Sequence, residues 1–178
     1  MTEHAEKLQQ AFGFLYVAEV ALFKKLAAAL PAGAVYVNIG AGVGTSSLAV
    51  VEANPALKAY TVDISEGGPF GGLQNEVNAF SPTGLPLPIQ ILGDSKKVGK
   101  EWENGPIDFL FIDGDHSYEG CRGDIEAWRP HVKRGGIIAL HDYQKDVWPK
   151  VTEATDEAAK KYKWKRIELA DTLVAFRV

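Results

Sequence analysis

Two short segments bring imidazole and carboxylate side chains close together in the chain. Asp113-Gly114-Asp115-His116-Ser117-Tyr118 carries two aspartates and a histidine, and His141-Asp142-Tyr143 carries a further pair. Histidine, with an unperturbed pKa of about 6.5, is the side chain best suited to take a proton from a substrate near neutrality. A third segment, Gly40-Ala41-Gly42-Val43-Gly44, is of another kind. Its glycines allow a tight turn in which backbone N–H groups approach a ligand closely. Asp63 is suited to accept hydrogen bonds from a pair of ribose hydroxyls, and Gly93-Asp94 adds another carboxylate beside a glycine. A glycine-rich turn that binds nothing is the plain alternative for residues 40–44, and the placement of Asp63 argues against it.

The hydrophobic pattern explains how these residues meet. Val35–Ile39, Ala59–Val62, Pro88–Leu92, Ile107–Ile112 and Ile137–Leu140 read as strands. The stretch Ile107–Ile112 is almost wholly apolar, as for a strand buried on both faces. Helices are expected at Ser46–Ala53, near Leu73–Phe80, along the stripe from Tyr118 to Val132, and from Pro149 to about Tyr162. Strands alternating with helices imply parallel βαβ units with right-handed crossovers. In such sheets ligands bind outside the carboxyl ends of the strands. Those ends carry Gly40, Asp63, Asp94, Asp113 and His141-Asp142. Two last strands, near Trp164–Leu169 and Leu173–Val178, are joined by Ala170-Asp171-Thr172, a link short enough for an antiparallel hairpin. The expected fold class is α/β: a doubly wound, mostly parallel seven-stranded sheet, Rossmann-like, ending in that hairpin. Residues 1–178 are read as one domain, with 1–33 an N-terminal helical segment.

Composition narrows the function. With 178 residues, 46% hydrophobic and 24% charged, the chain suits one soluble globular core. A net charge of −4 disfavours a nucleic-acid partner, which needs clustered cations. The cluster Lys160, Lys161, Lys163, Lys165 and Arg166 is read as a helix C-terminus and a solvated edge. Ala11–Leu30 is the most apolar early stretch, but Glu19, Lys24 and Lys25 interrupt any membrane span. The single cysteine, Cys121, fits a reducing compartment, and the polar N-terminus lacks a basic leader region, so a cytoplasmic protein is expected. Cys121 and Trp128 lie on the helical stripe and are read as core, whereas Trp102 and Trp148 suit either packing or a substrate cleft.

Val35-Tyr36-Val37-Asn38-Ile39-Gly40-Ala41-Gly42-Val43-Gly44-Thr45-Ser46 resembles the first motif of class I S-adenosylmethionine-dependent methyltransferases. Asp63 resembles the acidic residue of their second motif, and Gly93-Asp94-Ser95 their third, where an Asp lies beside the adenine amino group. The resemblance spans roughly Val35 to Val178 and includes the terminal hairpin. It implies S-adenosylmethionine as cofactor, held by Asn38, Gly40, Ala41, Gly42, Asp63, Ile64, Gly93, Asp94, Ser95 and Asp113. Asn38 stands where the family commonly has Glu or Asp, and it brings hydrogen bonds without charge. The segments after strands four and five resemble a small-molecule O-methyltransferase subgroup related to macrocin O-methyltransferase and cephalosporin-pathway enzymes. That resemblance implies His116 as general base and Asp113 and Asp142 as oxygen ligands of a Mg²⁺-like cation, with His141 in place of a carboxylate. Imidazole suits Mn²⁺, Fe²⁺ or Zn²⁺ better than Mg²⁺, so a different cation or none is the alternative. Asp115 or Ser117 is also suited simply to cap the helix that begins at Tyr118.

The implied reaction is methyl transfer to a small-molecule acceptor, at a hydroxyl oxygen. A cofactor-binding module without catalysis is the second reading. A nicotinamide-dependent oxidoreductase is the third, and Thr45 opposes it by occupying the third-glycine position of G-x-G-x-x-G. Leu8, Phe12, Leu15, Leu22, Leu26 and Leu30 predict one N-terminal helix ended by Pro31-Ala32-Gly33. Phe12, Phe14, Leu15, Tyr16 and Val17 occupy more than one of its faces, which predicts a homodimer interface or a cover over the cofactor cleft. Specificity is expected from that helix and from the loops 67–72 and 81–87.

Overall fold

The computed structural model describes residues 4–12, 14–69, 71–144 and 146–178. Seven strands form one sheet: β1 (Val35–Ile39), β2 (Lys58–Asp63), β3 (Ile89–Leu92), β4 (Ile107–Ile112), β5 (Val132–Leu140), β6 (Lys165–Ala170) and β7 (Leu173–Arg177). Their order is β3-β2-β1-β4-β5-β7-β6. The first five pair in parallel, and β7 runs antiparallel to both β5 and β6. The order reverses between β1 and β4, which opens a crevice where the connections leaving their carboxyl ends part to opposite sides of the sheet.

The core lies on both faces of this sheet, and β4 shows why. Phe109 and Phe111 join one apolar cluster, and Leu110 and Ile112 join the other, as a strand of period two requires. On the first face Phe23 meets Phe111 edge to face at 4.7 Å, beneath α2 (Val17–Ala28) and α3 (Thr45–Ala53). On the second, α6 (Tyr118–Trp128) and α7 (Pro149–Tyr162) supply Cys121, Ile125, Trp128, Val151 and Ala154. Trp102 belongs to this core too, packed on Tyr60 and Trp128 at 5.0 and 5.2 Å. Burial pushes the Cys121 thiol up to about 12, the behaviour of a core cysteine and not a nucleophile. Among the described residues, no helix is long and apolar enough to cross a membrane.

The N-terminal segment departs from the sequence expectation. It forms two helices, α1 (His4–Phe12) and α2, in place of one. Tyr16 is extended and caps α2, and its N–H donates to Glu19 Oε2 at 2.7 Å. A single helix cannot bury apolar groups carried on several faces; the break lets Leu15 turn inward while Phe14 stays half exposed. Gly13 lies outside the described residues, as does Phe70 of the glycine-rich loop. The short α4 (Leu73–Phe80) follows that loop, and α5 (Ser95–Lys100) follows β3.

Candidate active site

Gly40 ends β1 with φ +93°, a left-handed conformation that glycine adopts freely. A Cβ there would lie 2.1 Å from the Asp113 carbonyl oxygen, so only glycine lets the ends of β1 and β4 close together. The turn then runs through Gly42, where a Cβ would meet nothing within 4 Å and which faces a cleft of about 710 Å³. That volume is within the usual range for a cofactor or small-ligand site. The cleft wall includes Gly40, Gly42, Asp63, Ile64, Gly93, Asp94, Ser95, Asp113, His116, His141 and Asp142. Of the residues expected to bind cofactor, Asn38 and Ala41 are absent from that wall.

Asp63 shapes the turn it faces. Its Oδ2 accepts the Ala41 N–H and its Oδ1 the Ser65 N–H, both at 2.7 Å. Each oxygen keeps a second lone pair for a ligand hydroxyl. Loop 67–72 buttresses the same turn, for Gly72 N donates to Gly42 O at 2.9 Å. Asp94 caps α5, accepting the Lys96 N–H at 2.9 Å and the Lys97 N–H at 3.3 Å. Ser95 Oγ donates to Asp124 of α6, and Trp128 Nε1 donates to Ser95 O at 3.0 Å. Asp124 is buried on the cleft wall, and its Oδ2 has no hydrogen-bond partner among the described residues.

Asn38 lies beneath the turn, fully buried. Its Nδ2 donates to Ser47 Oγ at 2.9 Å and reaches Ser46 Oγ at 3.4 Å. Ser47 leads through Thr61 to Glu76 Oε1, and Gln90 donates to Glu76 Oε2 at 3.0 Å. Glu76 is fully buried, and desolvation outweighs these bonds to hold its pKa above the ordinary carboxylate value. A carboxylate raised on folding stabilises the protein below its unfolded pKa, and that contribution is lost as pH rises. Glu76→Gln keeps the size and can donate to the Thr61 hydroxyl while accepting from Gln90. It should raise Tm by a few degrees at pH 7 and match the wild type near pH 4; the same Tm difference at both pH values would refute this account.

The catalytic candidates converge at the ends of β4 and β5. His116 Nε2 lies 2.7 Å from Asp142 Oδ2 and 3.4 Å from Asp113 Oδ1. Hydrogen bonds to Asp113 and Asp142 outweigh desolvation and push the His116 imidazole up to about 9. His141 is buried; burial opposes its charge, yet Asp113, Asp142 and Glu19 push it up to about 12. Asp113 is itself drawn well below the usual range, since the two histidines overcome its desolvation. Asp142 reaches this cluster through a left-handed backbone, φ +57°, a conformation in which Asp is enriched. Ser117 Oγ accepts the Gly120 N–H at 3.0 Å and caps α6, and Asp115 Oδ1 accepts the Ser117 N–H at 2.9 Å.

Asp113, His141 and Asp142 offer one donor atom each, all within 4.8 Å of one another. His141 Nδ1 is 3.5 Å from Asp113 Oδ1 and 3.6 Å from Asp142 Oδ1. Ligands about 2.0–2.2 Å from one cation have comparable mutual separations, so the donor set fits a divalent ion.

Trp148, left undecided by the sequence, stacks on His116 with centroids 4.7 Å apart and planes 21° apart. Beside this pair opens a second recess of about 500 Å³, walled also by Asp115, Val147, Pro149 and Lys150. Phe14 joins the wall of the main cleft, so the N-terminal segment covers that cleft in part. Sequence reasoning missed two acidic residues here, Asp124 and Glu19. Glu19 had one signal: a carboxylate inside the apolar stripe of α2, which packing must bury.

A family model described as a methyltransferase domain matches residues 37–143. Uncharacterized protein R132 of Acanthamoeba polyphaga mimivirus is 42% identical over 52 residues, which is 29% of this chain and 24% of that protein. The chain thus matches about a quarter of the length of that curated relative. The structure of the O-methyltransferase NovP superposes with a TM-score of 0.72 at 16% identity, covering 90% of this chain and 79% of NovP. The structure of SAH-bound methyltransferase PaMTH1 from Podospora anserina gives a TM-score of 0.72 at 17% identity, covering 98% and 85%. At these identities the likeness is one of fold.

Proposed function

Because the chain belongs to the methyltransferase-domain family, we propose that it transfers a methyl group from S-adenosylmethionine to a hydroxyl oxygen of a small molecule. The observation that carries this reading is the convergence of the glycine turn, Asp63, Asp94 and the His116–Asp113–Asp142 cluster on one cleft. We assign the ribose to Asp63 and Ile64, the adenine to Gly93, Asp94 and Ser95, and the amino-acid end to Gly40, Gly42 and Asp113, with Ala41 acting through its bond to Asp63. Asn38 acts at one remove, through its bonds to Ser46 and Ser47 at the start of α3.

The recess beside Trp148 is assigned to the acceptor, since it meets the cofactor cleft at His116. The acceptor oxygen attacks the sulfonium methyl carbon in line, the carbon–sulfur bond breaks, and the demethylated thioether leaves. The cofactor supplies the electrophile, so the protein's task is orientation and removal of the hydroxyl proton. Asp113, His141 and Asp142 would hold a divalent cation, which would supply Lewis-acid assistance to loss of the acceptor's hydroxyl proton. Asp113 and Asp142 are the acceptors that hold the proton on His116 Nε2, so engaging them elsewhere would free the imidazole to act as base.

Calorimetric titration with S-adenosylmethionine, followed by mass spectrometry of reactions with a panel of hydroxylated small molecules, tests this reading. Micromolar binding and a methylated product are expected. No binding overturns the proposal, and binding with no product across the panel favours the non-catalytic module. Full activity after exhaustive chelation removes the cation from the mechanism and leaves the methyl transfer standing.

A further inference from the structure

Glu19 is a fully buried carboxylate on α2, far in sequence from Asp113, His141 and Asp142, and both its oxygens are hydrogen-bonded. Its Oε1 accepts from Thr172 N at 2.9 Å and Thr172 Oγ1 at 2.7 Å, in the turn between β6 and β7. Its Oε2 accepts from Tyr16 N at 2.7 Å and lies 3.1 Å from His141 Nε2. The other ring nitrogen of His141, Nδ1, faces Asp113 and Asp142. A carboxylate with no donor of its own leaves His141 Nε2 only the role of donor. A proton therefore belongs on Nε2, and Nδ1 is the nitrogen turned toward the two aspartates, the one whose proton a cation bound there would displace.

We infer that Glu19 is a positioning residue that presents His141 Nδ1 as the nitrogen ligand of a mixed nitrogen-and-carboxylate cation site, selective for Mn²⁺ or Zn²⁺ over Mg²⁺. The inference rests on the reading of Asp113, His141 and Asp142 as a divalent-cation site. A ligating histidine commonly donates its second N–H to a carboxylate, which fixes the tautomer and raises the basicity of the ligating nitrogen. The selectivity follows from the donor set. Mg²⁺ favours oxygen ligands, whereas imidazole suits Mn²⁺ and Zn²⁺. Glu19 also joins the N-terminal helix, the terminal hairpin and the cluster, so the site depends on all three being packed together.

Glu19→Gln separates this role from a structural one. The Gln carbonyl still accepts from Thr172, but its amide gives up the Tyr16 N–H, donates toward His141 Nε2 and drives the ring proton onto Nδ1. Titrating the protein with Mn²⁺ alone, and separately with Mg²⁺ alone, by calorimetry and Mn²⁺ EPR gives a readout free of turnover. Wild type should bind Mn²⁺ more tightly than Mg²⁺, and Glu19→Gln should weaken Mn²⁺ binding by about 10–100-fold with less effect on Mg²⁺. Equal Mn²⁺ affinity and an unchanged Mn²⁺/Mg²⁺ ratio in a folded Glu19→Gln variant overturn the Glu19 inference and leave the cation site intact. Absence of binding by the wild type to either ion overturns both. If Glu19→Gln does not fold, long-range ¹H–¹⁵N spectra of the wild type loaded with Zn²⁺ decide: a proton on His141 Nε2 with Nδ1 coordinated supports the inference, and the reverse tautomer overturns it.

Discussion

His116→Ala should lower turnover by about 10²–10⁴-fold, the usual contribution of a positioned base, while cofactor affinity stays nearly unchanged. Among the described residues, His116 is the imidazole on both the cofactor cleft and the Trp148 recess. His141 is buried at the cleft wall with both nitrogens directed at carboxylates, which leaves neither nitrogen free for a substrate proton. The loss should therefore fall on kcat, with KM for the cofactor little moved. Trp148→Phe keeps an aromatic face against the ring and should retain most of the activity if stacking only orients the imidazole. Steady-state kinetics on the acceptor that the mass spectrometry identifies would decide the matter. A His116→Ala variant with wild-type turnover would eliminate His116 as the base.

Asp63→Ala should weaken S-adenosylmethionine binding by roughly 10–150-fold, equivalent to the loss of about 1.5–3 kcal/mol for hydrogen bonds to a charged acceptor. The carboxylate has two tasks. It accepts the Ala41 and Ser65 N–H groups, which fixes the glycine turn, and it keeps lone pairs free toward the cleft for the ribose hydroxyls. Asp63→Asn separates them in part, because the amide keeps one acceptor oxygen and loses the charge. An affinity for Asp63→Asn between those of Asp63→Ala and wild type is the expected order. Unchanged affinity in Asp63→Ala, measured calorimetrically on protein with a native circular dichroism spectrum, would remove Asp63 from the cofactor site.

Much of the framework was legible because it depends on local patterns. The apolar run Ile107–Ile112, the helix Leu73–Phe80 and the helix opened by Pro149 have the bounds their patterns predict. Elements with weak patterns were missed or misplaced. The helix Ser95–Lys100 is short and rich in lysine, and β5 begins at Val132, where Lys133, Arg134 and two glycines conceal the strand. Leucine spacing alone predicts a continuous N-terminal helix, because it does not register the break before Tyr16.

The site divides along the same line. Which residues stand at the strand ends follows from the sequence, since each strand stops where its apolar run stops, and those positions carry Gly40, Asp63, Asp94, Asp113 and His141-Asp142. What each side chain does there was decided by packing. Asn38 was expected at the cofactor; its alternation on β1 turns it instead into the buried network with Ser47. Trp102 and Trp148 are equivalent in the sequence, and the fold buries one in the core and stacks the other on His116. Glu19 meets His141 across 122 positions and Thr172 across 153. Strand ends are written in short runs of apolar residues, because burial of a strand is a property of its own neighbours in sequence. The hydrogen bond from α2 to His141, just past β5, exists only once that helix has packed on the sheet, and no local run of residues encodes that meeting.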